Sequence, residues 1–303
     1  MRYLSFRTAT AYESVGAIVD GHIVDLAAML PDETSGLSPI RRLLLARAGV
    51  LPTAPDDVPG LRSFDLEEIT VLPLVPDPTK VVAAPVNYFD HKTEMNEDAH
   101  IDSLGVFLKA PSSVLAAGET VRLPYTDRRF DQEGELAFVV GRTARDVAPQ
   151  HAGAYIAGYT CLLDMTMRGG EDRSTRKSFD TFTPLGPYLV TPDEVGDVSA
   201  LRLRTWVNNE LRQDADIADL IWGVPELLAY VSSVMTLQAG DVVTTGTPAG
   251  IGQVRDGDRV AVEISRIGRL EVAVSAANAV ACPTRGAGRG PRPPDEVTPV
   301  RER

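Results

Sequence analysis

The sequence predicts an α+β fold dominated by strands, and three observations predict it. Apolar, β-prone runs recur at 136–140, 188–190, 201–207, 242–245, 260–264 and 270–274. Turn residues separate them at short intervals. Segments with helical spacing are few, so many short strands with few helices argue for a mixed, β-rich architecture over a doubly wound sheet.

The elements follow in order. Two apolar runs between 14 and 26 flank Asp20-Gly21, a hairpin signal. Ser38 is placed to cap a helix with Pro39 at its first position; Ile40, Leu43 and Leu44 recur at helical spacing and Gly49 offers a stop. Prolines at 52, 55 and 59 break regular structure beyond it. Pro73, Pro76 and Pro78 mark a linker, dividing a small amino-terminal β-rich domain (1–75) from a larger domain (76–282). A helical stretch at 149–156 leads into the strand before Asp164. A second helix opens at Pro225, carries Leu227, Leu228, Val231, Val234 and Met235, and stops at Gly240. The tail, 283–303, has five prolines and no aromatic residue, and is expected to be disordered.

Composition narrows the function classes. A net charge of −12 argues against a phosphate-backbone partner, so no nucleic acid is expected. No run of 18 apolar residues and no secretory h-region occur, which predicts a cytoplasmic protein without a membrane partner. Cys161 and Cys282 are too few for a disulfide scaffold and lack C-x-x-C spacing; Cys161 reads as a buried thiol. A small molecule is the default partner.

Glu133 and Glu135 carry the strongest chemical signal. On a strand, residues i and i+2 share a face about 6 to 7 Å apart, so both carboxylates reach one cation. Asp164 ends another apolar run. Three oxygen ligands without cysteine or histidine suit Mg²⁺, Mn²⁺ or Ca²⁺. In a chain with 42 acidic residues the pair also fits two solvated surface acids, and its neighbourhood has to decide.

His91 has Glu94 three residues on, the spacing that lets a carboxylate fix an imidazole tautomer; an ordinary surface pair is the other reading. Lys177 beside a carboxylate-bound cation would face an anionic substrate or a developing enolate, and elsewhere would be one more exposed lysine. The loop from Thr244 to Gly252 offers backbone N–H groups to a carboxylate, or is a tight turn. It lacks the Gly-Lys-Ser/Thr ending of a phosphate loop, Arg255 stands where a dinucleotide motif needs glycine, and no G-x-S-x-G occurs.

Taken in order, Asn87-Tyr88 with Asp90-His91 and Glu94, Phe107-Leu108-Lys109, Glu133-x-Glu135, Gly158-Tyr159-Thr160 with Asp164, Lys177-Ser178-Phe179-Asp180, Pro184 to Pro187, Arg212-Gln213 and Thr245-Gly246-Thr247 resemble the fumarylacetoacetate hydrolase family. The likeness covers about residues 80 to 276, and is to bacterial acylpyruvate hydrolase-like or 2-hydroxyhepta-2,4-diene-1,7-dioate isomerase-like members. It implies a mixed β-roll catalytic domain, a smaller amino-terminal domain and a homodimer. It also implies Mg²⁺ or Mn²⁺, with Ca²⁺ able to stand in, held by Glu133, Glu135 and Asp164.

The implied activity is hydrolytic C–C cleavage of a β-diketo acid in aromatic-compound catabolism. Isomerase, hydratase or decarboxylase chemistry on the same metal site is the alternative, and a noncatalytic binding protein a third reading. His91, oriented by Glu94, and Lys177 are the implied catalytic residues; Tyr88, Lys109, Arg168, Gln213 and Thr247 the substrate-binding ones, with the segment 88–103 closing over the site. Phe89, Leu163, Gly169 and Asn209 depart from the family pattern, Phe89 and Gly169 on the expected substrate side.

Overall fold

The computed structural model describes residues 1–31, 36–52, 61–291 and 293–300; the prolines at 55 and 59 lie outside them. Its main sheet runs, in spatial order, Ser63–Phe64, His22–Asp25, Glu13–Val19, Arg2–Thr8, Thr183–Val190, Ile156–Leu163, Gly134–Val140, Val242–Thr244, Val81–Ala83 and Phe107–Lys109. A five-stranded sheet orders Glu210–Asp216, Arg202–Val207, Arg259–Ile264, Gly268–Ser275 and Thr120–Arg122. The apolar runs predicted as strands all lie in these two sheets.

Strand Gly134–Val140 is buried at every position. Leu136, Phe138 and Val140 join one core with Leu203, Val260, Val262 and Leu270 of the five-stranded sheet, while Ala137 and Val139 join a second core on the opposite face. A strand covered on both faces needs apolar residues in succession, hence the unbroken run in the sequence.

The first 75 residues extend this main sheet. Arg2 and Tyr3 pair with Val190 and Leu189, and Tyr3, Val15, Ile40 and Leu43 share a core with Leu162, Leu185 and Val242. The Asp20-Gly21 hairpin forms with both residues at positive φ, 49° and 86°, the geometry that matches strand twist. The helix Pro39–Ala46 forms as read, and the Gly49 amide donates to Leu44 O at 2.7 Å, closing its end. Ser38 makes no side-chain capping bond.

Three further expectations change. Helix Val224–Val234 ends at Met235, extended at φ −145°, so Gly240 does not stop it; Gly240, at φ 90°, instead turns the chain into strand Val242–Thr244. The stretch before Ile156 is a 3-10 helix, Pro149–Tyr155. The described part of the tail is anchored rather than detached. Arg128 donates to Thr284 O at 2.8 Å, the Gly170 amide donates to Gly286 O at 3.0 Å, and Pro291 reaches the cleft described below. Polar bonds to the body of the protein hold it, which a reading of apolar content alone cannot detect.

A third, three-stranded sheet positions the site. Its order, Thr166–Met167, Phe130–Gln132, Gly252–Val254, repeats the order of the main-sheet strands Ile156–Leu163, Gly134–Val140 and Val242–Thr244. The chain crosses between the two sheets three times side by side. Glu133 occupies one crossing, Asp164 the next, and residues 245–251 the third.

Candidate metal centre and its cleft

At this seam the backbone leaves its ladders, and the acids gather. Carboxylate oxygens of Glu133, Glu135 and Asp164 all lie within 4.8 Å of one another, and all three residues are buried. The expected pairing of Glu133 with Glu135 holds in space, although Glu133 stands one residue before the strand. The Asp164 amide donates to Glu133 O at 2.8 Å, locking two crossings together. Gly134 between the glutamates is held close: a Cβ there would lie 2.1 Å from Thr205 Oγ1.

Cations surround the trio unevenly. Lys177 Nζ donates to Glu133 Oε2 at 2.6 Å and Asp164 Oδ2 at 2.5 Å, and Lys109 Nζ to Asp164 Oδ1 at 2.5 Å. Arg168 donates to Asp131 Oδ2 and Glu133 Oε1, each at 2.6 Å. Burial opposes the charge on Glu133, yet Lys177 and Arg168 outweigh it and hold that carboxyl far below its usual value. Glu135 is different. Burial and the charge of Asp164 push it up to about 8, and among the described residues it accepts only from the Thr244 hydroxyl and, at 2.8 Å, the Gly246 amide. A divalent cation would supply the charge Glu135 lacks. The donor set, all carboxylate oxygen, fits a hard ion.

His91 lies on the short helix Phe89–Glu94 and lines the cleft with the three acids. Its Nδ1 is 2.9 Å from Glu94 Oε2, and Glu94 Oε1 accepts the Gly250 amide at 2.8 Å. Glu94 therefore accepts a hydrogen bond from Nδ1–H, which fixes that tautomer and leaves the Nε2 lone pair free. This is the arrangement expected of a base with its orienter.

The residues expected at substrate divide. Arg168 and Thr247 line the cleft, but Tyr88, Lys109 and Gln213 do not. Lys109, 1% exposed, spends its ammonium on Asp164 and Phe182 O behind the trio. Gln213 accepts the Gly134 amide at 2.9 Å and donates to Thr247 Oγ1 at 2.7 Å and Pro248 O at 2.8 Å, so its amide is fully used in bracing the seam. Tyr88 is wholly buried, bridged to Leu220. The loop after Thr244 does wrap a carboxylate, that of Glu135.

Among the departures, Phe89 points outward, 61% exposed and edge-on to His100, while a Cβ on Gly169 would meet Glu171 Oε2 at 2.2 Å, beside the tail. Asn209 sits at φ 68° in a turn, a conformation asparagine tolerates. Glu97, Arg173 and Arg176 also line the cleft and were not singled out from sequence; the arginines just before Lys177 were the available signal. Phe107, of the Phe107-Leu108-Lys109 motif, lines it as well.

Residues 80–275 match the family model "Fumarylacetoacetate (FAA) hydrolase C-terminal". The chain belongs to the fumarylacetoacetate hydrolase family. Within that family it is 41% identical to maleylpyruvate hydrolase of Aquipseudomonas alcaligenes over 275 residues, covering 85% of this chain and 95% of that one. It is 35% identical to an oxaloacetate tautomerase of Bacillus subtilis, over 71% of this chain and 76% of that one. Among solved structures of the family, maleylpyruvate hydrolase from Sphingobium sp. SYK-6 in complex with manganese(II) and pyruvate superposes with a TM-score of 0.77 at 34% identity, over 93% of this chain and 100% of that one.

Proposed function

We propose that this family member is a divalent-metal-dependent hydrolase that cleaves the C–C bond of an acylpyruvate, a β-diketo acid, in the catabolism of aromatic compounds. The observation that carries the reading is His91, fixed by Glu94, facing the same cleft as Glu133, Glu135 and Asp164. Mg²⁺ or Mn²⁺ held by the three acids supplies Lewis acidity toward the oxygens of a 2-oxo acid.

The chain's own groups do the rest. Nε2 of His91 takes a proton from water, whose oxygen adds to the carbonyl carbon of the acyl group. The bond from that carbon to the pyruvyl methylene then breaks, its electron pair leaves with the pyruvyl fragment, and a proton completes pyruvate beside the released acid. Lys177, at the cleft wall, faces the negative charge that develops. Arg168 and Thr247 bound the substrate space.

The test is Mn²⁺-loaded protein with acetylpyruvate, following loss of the diketo absorbance and pyruvate and acetate release. Equal amounts of both products support the reading; persistence of acetylpyruvate with turnover of oxaloacetate instead replaces it. That second outcome has a basis, since relatives on this fold include the tautomerase and, at 38% identity, a bifunctional isomerase/decarboxylase of Salmonella dublin. Hydrolysis is favoured because decarboxylation has no need of the oriented base.

A homodimer is part of the proposal, on the family resemblance, and light scattering of the purified protein checks it. A cytoplasmic site fits the two unpaired thiols, Cys161 and Cys282; cell fractionation tests that.

A further inference from the structure

The tail meets all three strands of the small sheet that positions the site, in the sheet's own order. Beyond its Arg128 contact at Thr284, it first reaches the turn after Thr166–Met167, where the Gly170 amide donates to Gly286 O at 3.0 Å and Gly290 lies against Gly169 O. It next passes the start of Phe130–Gln132, where Arg129 Nη1 donates to Pro294 O at 3.3 Å. Val297 then lies over Gly252, the first residue of Gly252–Val254. Along this course Pro291 lines the cleft with Glu133, Asp164 and Arg168, and Pro293 is buried.

The seat is cut for this segment. A Cβ on Gly290 would lie 2.5 Å from Gly169 O, and one on Gly286 would collide with the Glu171 carboxylate. Side chains at Gly169 and Gly170 would strike Glu171 and Arg289. Gly290 also has φ 76°, a conformation that favours glycine. Two glycines of the tail thus fit two glycines of a turn more than a hundred residues earlier, which a tail resting by chance does not require. The hold is nonetheless shallow: residues 287–290 are exposed, and the Arg129 bond to Pro294 lies in solvent. Segments with few apolar contacts and exposed hydrogen bonds open locally without unfolding the rest. The match to the family ends at residue 275, so this wall of the cleft is made outside the matched domain.

We propose that the tail beyond Thr284 is a detachable strap: docked on Gly169 and Gly170 it walls one side of the cleft and retains a metal-bound 2-oxo acid, and undocked it opens the cleft for entry and release. The acylpyruvate reading enters only through where the ligand sits, since no step of the reaction belongs to the strap.

Two measurements with 2-oxohexanoate, which cannot be cleaved as a β-diketone, test this on Mn²⁺-loaded protein. Trypsin cuts after Arg285 and Arg289, and mass spectrometry follows both cuts; the bound acid is expected to slow them at least about fivefold. Calorimetry then compares the full chain with one ended after Arg285, which keeps Thr284 on Arg128 and Glu171. Coupling is reciprocal, so the shortened chain should bind the acid more weakly by a similar factor, with Mn²⁺ affinity unchanged. Gly290→Ala in the full chain should speed both cuts and weaken binding in the same direction. A shortened chain with full affinity for the acid, or cleavage that the acid does not slow, overturns the proposal. A shortened chain that loses Mn²⁺ together with the acid makes the tail a structural brace and overturns it as well. A strap that passes both tests in a protein that leaves acetylpyruvate intact refutes the hydrolase reading alone.

Discussion

Glu94 ties His91 to Gly250: one carboxylate oxygen lies 2.9 Å from the imidazole Nδ1 and the other accepts the Gly250 amide at 2.8 Å. The proposed base is thereby fixed to the loop that also grips Glu135 through the Gly246 amide. His91 and Glu135 share one support, and three hydrogen bonds set their relative position.

Removing the base should separate chemistry from metal binding. His91→Ala is expected to lower kcat by roughly 10²- to 10⁴-fold, the usual contribution of a positioned base, with Mn²⁺ affinity retained. Steady-state hydrolysis and a Mn²⁺ titration on one preparation decide it, and unchanged turnover would discard His91 from the mechanism.

Glu133→Gln should weaken Mn²⁺ binding by at least about tenfold. It removes one ligand charge and leaves Lys177 and Arg168 facing each other across a neutral amide. Electron paramagnetic resonance of free Mn²⁺ reads the loss; an unaltered titration takes Glu133 off the ligand set.

Lys109→Met addresses whether that lysine meets substrate or supports Asp164. Breaking a buried pair from one side costs about 3 to 5 kcal/mol, so the variant should unfold at markedly lower urea concentration. A rise in KM with unaltered stability would instead return Lys109 to the substrate.

The metal-free protein should lose stability as pH rises from about 5 to 8. Glu135 has its carboxyl raised from 4.5 to about 8 in the folded chain, so between those values the native state holds a proton the unfolded state has released. The unfolded state then binds fewer protons, and the stability of the native state declines with pH. Chemical denaturation at three pH values without metal measures this, and a midpoint that climbs over that interval contradicts it.

Much of the site was legible because its signals are local. Glu133 and Glu135 are two residues apart, His91 and Glu94 three, and turn glycines announce the 245–251 loop. What escaped depends on chain segments far apart in sequence. Gln213 and Lys109 could be placed near the site, yet their full hydrogen-bond use on Gly134, Thr247 and Asp164 appears only when strands 79 and 55 residues away are packed against them. The stop assigned to Gly240 failed because a glycine marks a left-handed turn without saying which element it follows. Tail anchoring escaped because it rests on Arg128 with Thr284 and on the Gly170 amide with the Gly286 carbonyl, with little apolar burial to announce it.

The seam between the two sheets has a consequence for how such enzymes diversify. Its three acids are framed by adjacent antiparallel crossings of the chain, where any insertion would shift several ladders together, while Glu97 enters from the loop after the helix Phe89–Glu94, Arg173 and Arg176 from a short helix, and Pro291 from the tail. Substitutions around the rim can therefore redirect the scaffold toward new substrates with the ligand frame untouched, and hydrolases, tautomerases and decarboxylases can descend from one ancestor by changes confined to its mouth.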